Sequence, residues 1–202
     1  MAFINVVSPQ QASGRLKKIY QRVQAADGQV DNVLQVHSLR PHTLEGHMAV
    51  YKAVLHHTGN LLPEWYLEAV GVLVSRLNGC TYCAGHHSEG LKRLLETEAL
   101  DSDAYLSALA QIEPAEPFTK RERSGLVYAR KLTATPGKMN SQDIHTLRQA
   151  GFDDGEILEL NQVAAYFAYA NRTVSGLGVN TDNEILGQSP VTGDDDSGWS
   201  HG

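Results

Sequence analysis

Both cysteines of the chain stand three residues apart, Cys80 and Cys83, and two adjacent histidines follow, His86 and His87. A glutamate, Glu68, lies twelve residues before the first cysteine. A C-x-x-C pair closes too short a loop to remove much unfolded-state entropy, so it makes a poor structural staple. In a reducing compartment such a pair is more often redox-active or metal-binding. The thiolate is the reactive form in either case, and an imidazole nearby can take or return its proton. Two chemistries fit these residue types. One is peroxide or disulfide redox work by the dithiol. The other is a zinc site, for which Cys80, Cys83, His87 and Glu68 are all legitimate ligands. A second C-x-x-C would favour zinc, and the sequence has none.

The elements that must position these groups are helical. Pro63 opens a helix with Leu67, Val70, Val74 and Leu77 on one side, and Asn78-Gly79 breaks it. Cys80 then falls where the next helix begins, predicted to run through Leu91, Leu94 and Leu95 to Thr97. The positive end of a helix and its unpaired N–H groups favour thiolate over thiol. Cys83 lies one turn in and His87 one turn further, near one face. His86 is also near Cys83 by angle, and periodicity alone does not choose between the histidines. An antiparallel hairpin turning at Asn78-Gly79 brings Glu68 back alongside the cysteine helix. A lone acid on an apolar segment is costly to bury, and a Glu–His–Cys relay removes that cost.

The remaining chain repeats the helical pattern. Ser8-Pro9-Gln10-Gln11 reads as a helix start with a capping-box partner, followed by Leu16, Ile19, Tyr20 and Val23 and a stop at Asp27-Gly28. Val30 to Leu39 reads as a weaker, short helix, and Pro41 opens one carrying Leu44, Met48, Tyr51 and Leu55. His56-His57 reads as the end of that helix, where cationic side chains suit the dipole. A polar, acidic helix is expected from Asp101 to Gln111, then a linker at 113–118. Thr119 with Glu122, Asn140 or Ser141, and Asp153 with Glu156 mark three further helix starts. The last helix carries Ile157, Leu160, Ala164, Phe167 and Ala168, and Asn171-Arg172 with Gly176-Leu177-Gly178 end it. No alternating strand pattern of useful length occurs. The expectation is an all-α fold of eight or nine helices, one domain over 1–186, and a disordered Gly, Ser and Asp-rich tail over 187–202.

Composition narrows the function classes. Seventeen Lys and Arg against 23 Asp and Glu give a net charge of −6 in 202 residues. That balance argues against a nucleic-acid partner, which needs concentrated positive charge. No apolar run approaches the eighteen or so residues of a membrane span, and the first ten residues show no secretory pattern. A cytoplasmic protein is expected.

Glu68, then Cys80-x-x-Cys83, then three residues and His87, resembles the signature of the alkylhydroperoxidase D family, within the carboxymuconolactone decarboxylase-like superfamily. Val74-Ser75-x-x-Asn78-x-Cys80-x-Tyr82-Cys83-x-x-His86-His87 looks most like its peroxidase-related branch, and the resemblance spans roughly residues 4 to 180. It implies an all-helical fold assembled as a dimer, trimer or hexamer, and a dithiol that reduces hydroperoxides with no metal or cofactor. By position, Cys83 attacks, Cys80 resolves, and Glu68 with His87 forms the proton relay. An external dithiol or lipoyl-type partner then reduces the disulfide. His86 and Tyr82 take supporting places, and Tyr82 stands where some members carry a second histidine. Three alternatives remain: the decarboxylase or lactone-type chemistry of the wider superfamily, a non-enzymatic redox-sensing helical module, and the zinc-bound module.

Overall fold

A segment with no polar face has to be surrounded, and all ten residues from Tyr66 to Ser75 are buried. It lies in the fourth of the nine α-helices found among the described residues. The computed structural model describes residues 2–25, 28–111 and 115–188. Among them the helices are α1 (Gly14–Val23), α2 (Asn32–Gln35), α3 (Pro41–Leu55), α4 (Glu64–Leu77), α5 (Thr81–Thr97), α6 (Ser102–Leu109), α7 (Lys120–Ala134), α8 (Ser141–Gln149) and α9 (Asp154–Leu177), with no strand. The all-α expectation is met. The expected stop at Asp27, the 113–114 part of the linker and residues 189–202 lie outside the described residues.

Helix α4 packs against α3, α5, α6, α7 and α9. Its core includes Leu67, Val70, Leu73 and Val74, joined by Leu91 and Leu95 of α5, Leu126 of α7, and Leu160 and Phe167 of α9. A separate cluster ties α1 to α3 through Leu16, Ile19, Tyr20, Leu44 and Met48. A third, small cluster holds Cys80, Tyr82 and Cys83 with Val36, Val174 and Val179. The cysteines therefore sit at the edge of the core, where the end of α9 and the segment after α2 meet the start of α5.

Local chemistry explains most boundaries. Thr119 with Glu122, Asn140 with Asp143, and Asp153 with Glu156 each form a complete capping box. Gly79 takes a φ of 68° in the α4–α5 turn and Gly178 one of 66° at the C-cap of α9, a region glycine enters without steric cost. The first helix begins later than expected. Pro9–Gln11 forms only a 3₁₀ turn, the Ser8 side chain caps no backbone N–H, and α1 starts at Gly14. Ser8 instead donates its hydroxyl to Gln11 Oε1.

Other departures follow from packing. Leu77 is exposed despite its helical spacing, because α4 turns that position away from its neighbours. Ala168 is only half-buried. The expected polar helix at Asp101 is α6, which buries Tyr105, Ala108 and Leu109. Helix α9 runs on through Asn171-Arg172 to Leu177.

The α4–α9 contact has no room for another carbon. A Cβ built on Gly71 would lie 2.2 Å from the Phe167 ring, so glycine sets how closely the two helices approach. Replacing it overpacks the centre of the core, which costs about 1–3 kcal/mol. Gly71→Ala is expected to lower the melting temperature by several degrees in a thermal scan. An unchanged melting temperature would show that Phe167 can rotate away freely.

Candidate active site

The site begins with the α4–α5 hairpin. Asn78 and Gly79 reverse the chain, and the Cys80 backbone N–H donates to Ser75 O, closing the turn. Cys80 is the N-cap of α5, with its sulfur 3.4 Å from the Cys83 backbone nitrogen that donates to it. Both thiols are free and buried. The helix thus aims one of its orphan N–H groups, and its positive end, at a sulfur.

Antiparallel pairing places Glu68 beside His87, as the spacing predicts. The His87 Nδ1 to Glu68 Oε2 distance is 2.6 Å, and the carboxylate is 1% exposed. Phe167 meets the His87 ring edge-on at 4.6 Å between centroids. This wall and the carboxylate fix the imidazole, leaving Nε2 as its other working nitrogen. Between the two adjacent histidines, the structure gives His87 to Glu68 and turns His86 elsewhere.

His86 and Tyr82 point to the far side of α5, where they share Glu184. Tyr82 donates its hydroxyl to Glu184 Oε1 at 3.0 Å, and His86 Nε2 lies 3.3 Å from Glu184 Oε2. The same carboxylate receives the Asn32 backbone N–H at the start of α2. Burial, with the Glu184 and Asp31 carboxylates, holds the Tyr82 hydroxyl well above its ordinary pKa, so it remains a donor. The Gly187 N–H reaches His86 Nδ1 at 3.4 Å. Residues 187 and 188, assigned to the tail on sequence, belong with the described chain, and Gly187 packs on Glu89, Gly90 and Arg93.

Several contributors escaped the sequence reading. Asn171 donates to Ser75 Oγ at 3.0 Å and accepts from Asn78 Nδ2 at 2.9 Å. It also hydrogen-bonds Cys83, while Ser175 hydrogen-bonds Cys80. The detectable signal was a polar residue four positions after Phe167 on the core stripe of α9. His56, read as a dipole cap, is fully buried, with Nδ1 2.7 Å from Glu64 Oε1. Glu184, far along the chain from Tyr82 and His86, carries no local signal.

The two sulfurs carry unequal charge. Cys80 is drawn down to about 6, chiefly by the hydrogen bond from the Cys83 thiol. Burial opposes this, while the Cys83 backbone N–H, Ser175 and the positive field of His87 assist it. Cys83 is pushed far up, by that same hydrogen bond, by burial and by the charge on Cys80. Both effects favour the thiolate on Cys80 and the proton on Cys83. Among the described residues, no group of three His, Cys, Asp or Glu side chains is placed to hold a metal ion.

No family model and no curated protein matches the chain. Solved structures do. An uncharacterized peroxidase-related protein from Ralstonia eutropha JMP134, described as an alkylhydroperoxidase AhpD core, superposes with a TM-score of 0.76. It is 23% identical over 90% of this chain and 93% of its own. The fold is that of the AhpD core. An uncharacterized peroxidase-related protein from Silicibacter sp. TM1040 matches at TM-score 0.71 and 24% identity, over 88% of this chain and 87% of its own. A third neighbour is a cysteine-to-alanine variant of the debrominase Bmp8 in complex with 2,3,4-tribromopyrrole. It matches at TM-score 0.65 and 14% identity, over 91% of this chain and 95% of its own. Among the described residues no helix is long and apolar enough to cross a membrane.

The charge distribution is measurable without any substrate. A depressed thiol pKa means the thiolate is present above that pKa and disappears as pH falls through it. Ultraviolet thiolate absorbance is therefore expected to rise by one thiolate around pH 6, with no second step near the ordinary cysteine pKa of about 8.5. Ser175→Ala should move that step upward, because it removes a donor to the thiolate.

Proposed function

We propose that the chain is a thiol-dependent hydroperoxide reductase, working as a disulfide oxidoreductase through Cys80 and Cys83. The observation that carries this reading is a free, buried dithiol with one sulfur capping a helix N-terminus, on the same hairpin as the 2.6 Å Glu68–His87 pair. Such a site has a nucleophile, a second thiol one turn away and a positioned acid–base group. The fold of the peroxidase-related neighbours supports it. The debrominase neighbour shows that the fold alone does not choose the electrophile.

The resemblance gives Cys83 the attacking role, whereas the lowered pKa belongs to Cys80. The hydrogen bond between the sulfurs reconciles the two, since passing the Cys83 proton to Cys80 transfers the thiolate. Cys83 then attacks the terminal peroxide oxygen, the O–O bond breaks, and the leaving alkoxide takes a proton from His87. Cys83 is oxidised to the sulfenic acid and the peroxide reduced to the alcohol. Cys80 next attacks the sulfenic sulfur and gives its proton back to neutral His87. Hydroxide leaves with that same proton as water, and the disulfide remains. An external dithiol, of lipoyl or thioredoxin-like chemistry, supplies the two electrons that reopen it. The exposed apolar side chains Val50 on α3 and Tyr169 on α9 support a homo-oligomer.

Single substitutions assign the roles. Cys83→Ser is expected to abolish peroxide consumption, and Cys80→Ser to stop after one turnover with a trappable sulfenic acid. The reverse pattern would exchange the roles, and equal full activity in both variants would end the proposal. His87→Gln should lower the oxidation rate by about 10²–10⁴-fold, the usual contribution of a positioned acid–base group, with the fold intact by circular dichroism.

A further inference from the structure

The Glu68–His87 pair does not end at Glu68. His56, at the C-cap of α3, is fully buried, and its Nε2 faces Glu68 Oε1 at 4.0 Å. Neither of those two atoms has a hydrogen-bond partner, although both are buried. On its other side His56 Nδ1 lies 2.7 Å from Glu64 Oε1, and the Glu64 side chain is 27% exposed. Four ionisable groups therefore stand in line from a half-exposed surface to the dithiol: Glu64, His56, Glu68 and His87.

Hydrogen-bonding capacity makes this more than proximity. An ionised carboxylate only accepts, so an imidazole placed between two of them is satisfied on both sides when both ring nitrogens carry protons. In a neutral ring one nitrogen would present its lone pair to a carboxylate oxygen. A buried polar atom left unpaired costs about 1–3 kcal/mol. A short shift of His56 or Glu68 turns the 4.0 Å approach into a hydrogen bond and removes two such costs together. The adjacent His57 is different, since its Nδ1 accepts the Gly59 N–H within the loop.

We infer that His56 and Glu64 extend the Glu68–His87 pair into a proton relay that connects the buried dithiol with solvent. This rests on the proposed thiol chemistry. A proton given up by a thiol to His87 passes through Glu68 to Nε2 of His56 in its neutral Nδ1–H form; the ring then carries protons on both nitrogens, and the Nδ1 proton leaves through Glu64. The reverse order delivers one. Each hop moves one proton between neighbouring heteroatoms, and no electrons change hands. Cys80, Cys83, Glu68 and His56 are all buried, so a relay gives the thiol pair a proton exchange path that does not need water at the sulfurs. His56 and Glu64 are positioning and relay residues, acting on the sulfurs through Glu68 and His87. The other titratable groups facing this line are Tyr51 from α3, 4.9 Å from the His56 ring, and Tyr166 from α9, which stacks on Tyr51. Burial holds Tyr166 well above its ordinary pKa, so it stays neutral across the working range.

The test compares the full-length chain with His56→Asn and Glu64→Gln in two measurements. The first is the pH dependence of dithiol oxidation by hydrogen peroxide, followed as loss of titratable thiols. Both variants are expected to slow oxidation about tenfold or more near neutral pH and to change the shape of the pH profile, Glu64→Gln by the smaller amount. The second is the NMR titration of the His87 imidazole, which is expected to shift in both variants because its protonation is coupled through Glu68. Profiles and titrations that superimpose on the parent overturn the relay, as does a lower rate with an unchanged profile shape, which marks a structural role. If His56→Asn fails to fold, the half-exposed Glu64→Gln decides. If the parent chain does not react with peroxide, the peroxidase reading fails and the His87 titration alone decides whether the four groups are coupled.

Discussion

A carboxylate carried into the middle of an apolar helix has to be given a partner, and this fold is arranged around that demand. Glu68 sits 1% exposed in α4 with buried apolar neighbours on both sides in sequence. An unpaired charge there would cost more than any single side-chain contact could return. The partner is His87, which reaches Glu68 only if α5 runs back along α4 in one register. The same acid therefore fixes the hairpin, and through the hairpin fixes where the cysteines lie. Removing Glu68 would strip the structure of its reason for placing an imidazole one turn beyond Cys83.

The dithiol depends on a second, complementary constraint. Cys80 ends one helix-breaking turn and begins the next helix, so its sulfur meets backbone N–H groups that no preceding turn can satisfy. Cys83 is denied that environment and carries the shared proton instead. Two chemically identical side chains become unequal through their mutual hydrogen bond, their burial and the backbone N–H that Cys80 accepts. Asn171 and Ser175, one turn apart on α9, each attend a different sulfur, so the last helix completes what the hairpin starts.

Much of this was legible in the sequence, and the limits have physical causes. Helix existence followed from apolar spacing, and the capping boxes at Thr119, Asn140 and Asp153 fixed three starts correctly, because a cap is a local hydrogen bond. The start at Ser8 misled because proline and serine suit a 3₁₀ turn as well as a helix. The Glu68–His87 contact and the place of Cys80 at a helix start were readable since these residues lie on one hairpin, whose geometry is determined by spacing. His56, Glu64 and Glu184 were not, for their roles arise from side chains meeting across separate elements. Asn171 lay between these cases: its position on an apolar stripe was visible, but its partners were not.

The adjacency of His86 and His87 has a wider meaning for α5. Successive residues on a helix are rotated by roughly 100°, so the two rings leave the helix in different directions. One joins the carboxylate inside the core; the other joins the carboxylate of a segment that arrives from the end of the chain. A single turn of backbone thus belongs to two independent assemblies at once, an acid–base pair and a clasp that also holds the start of α2. Any motion that rolls this helix to adjust one histidine must disturb the other. The cysteine helix is consequently locked against rotation about its own axis, and the orientation of its sulfurs is inherited from that lock.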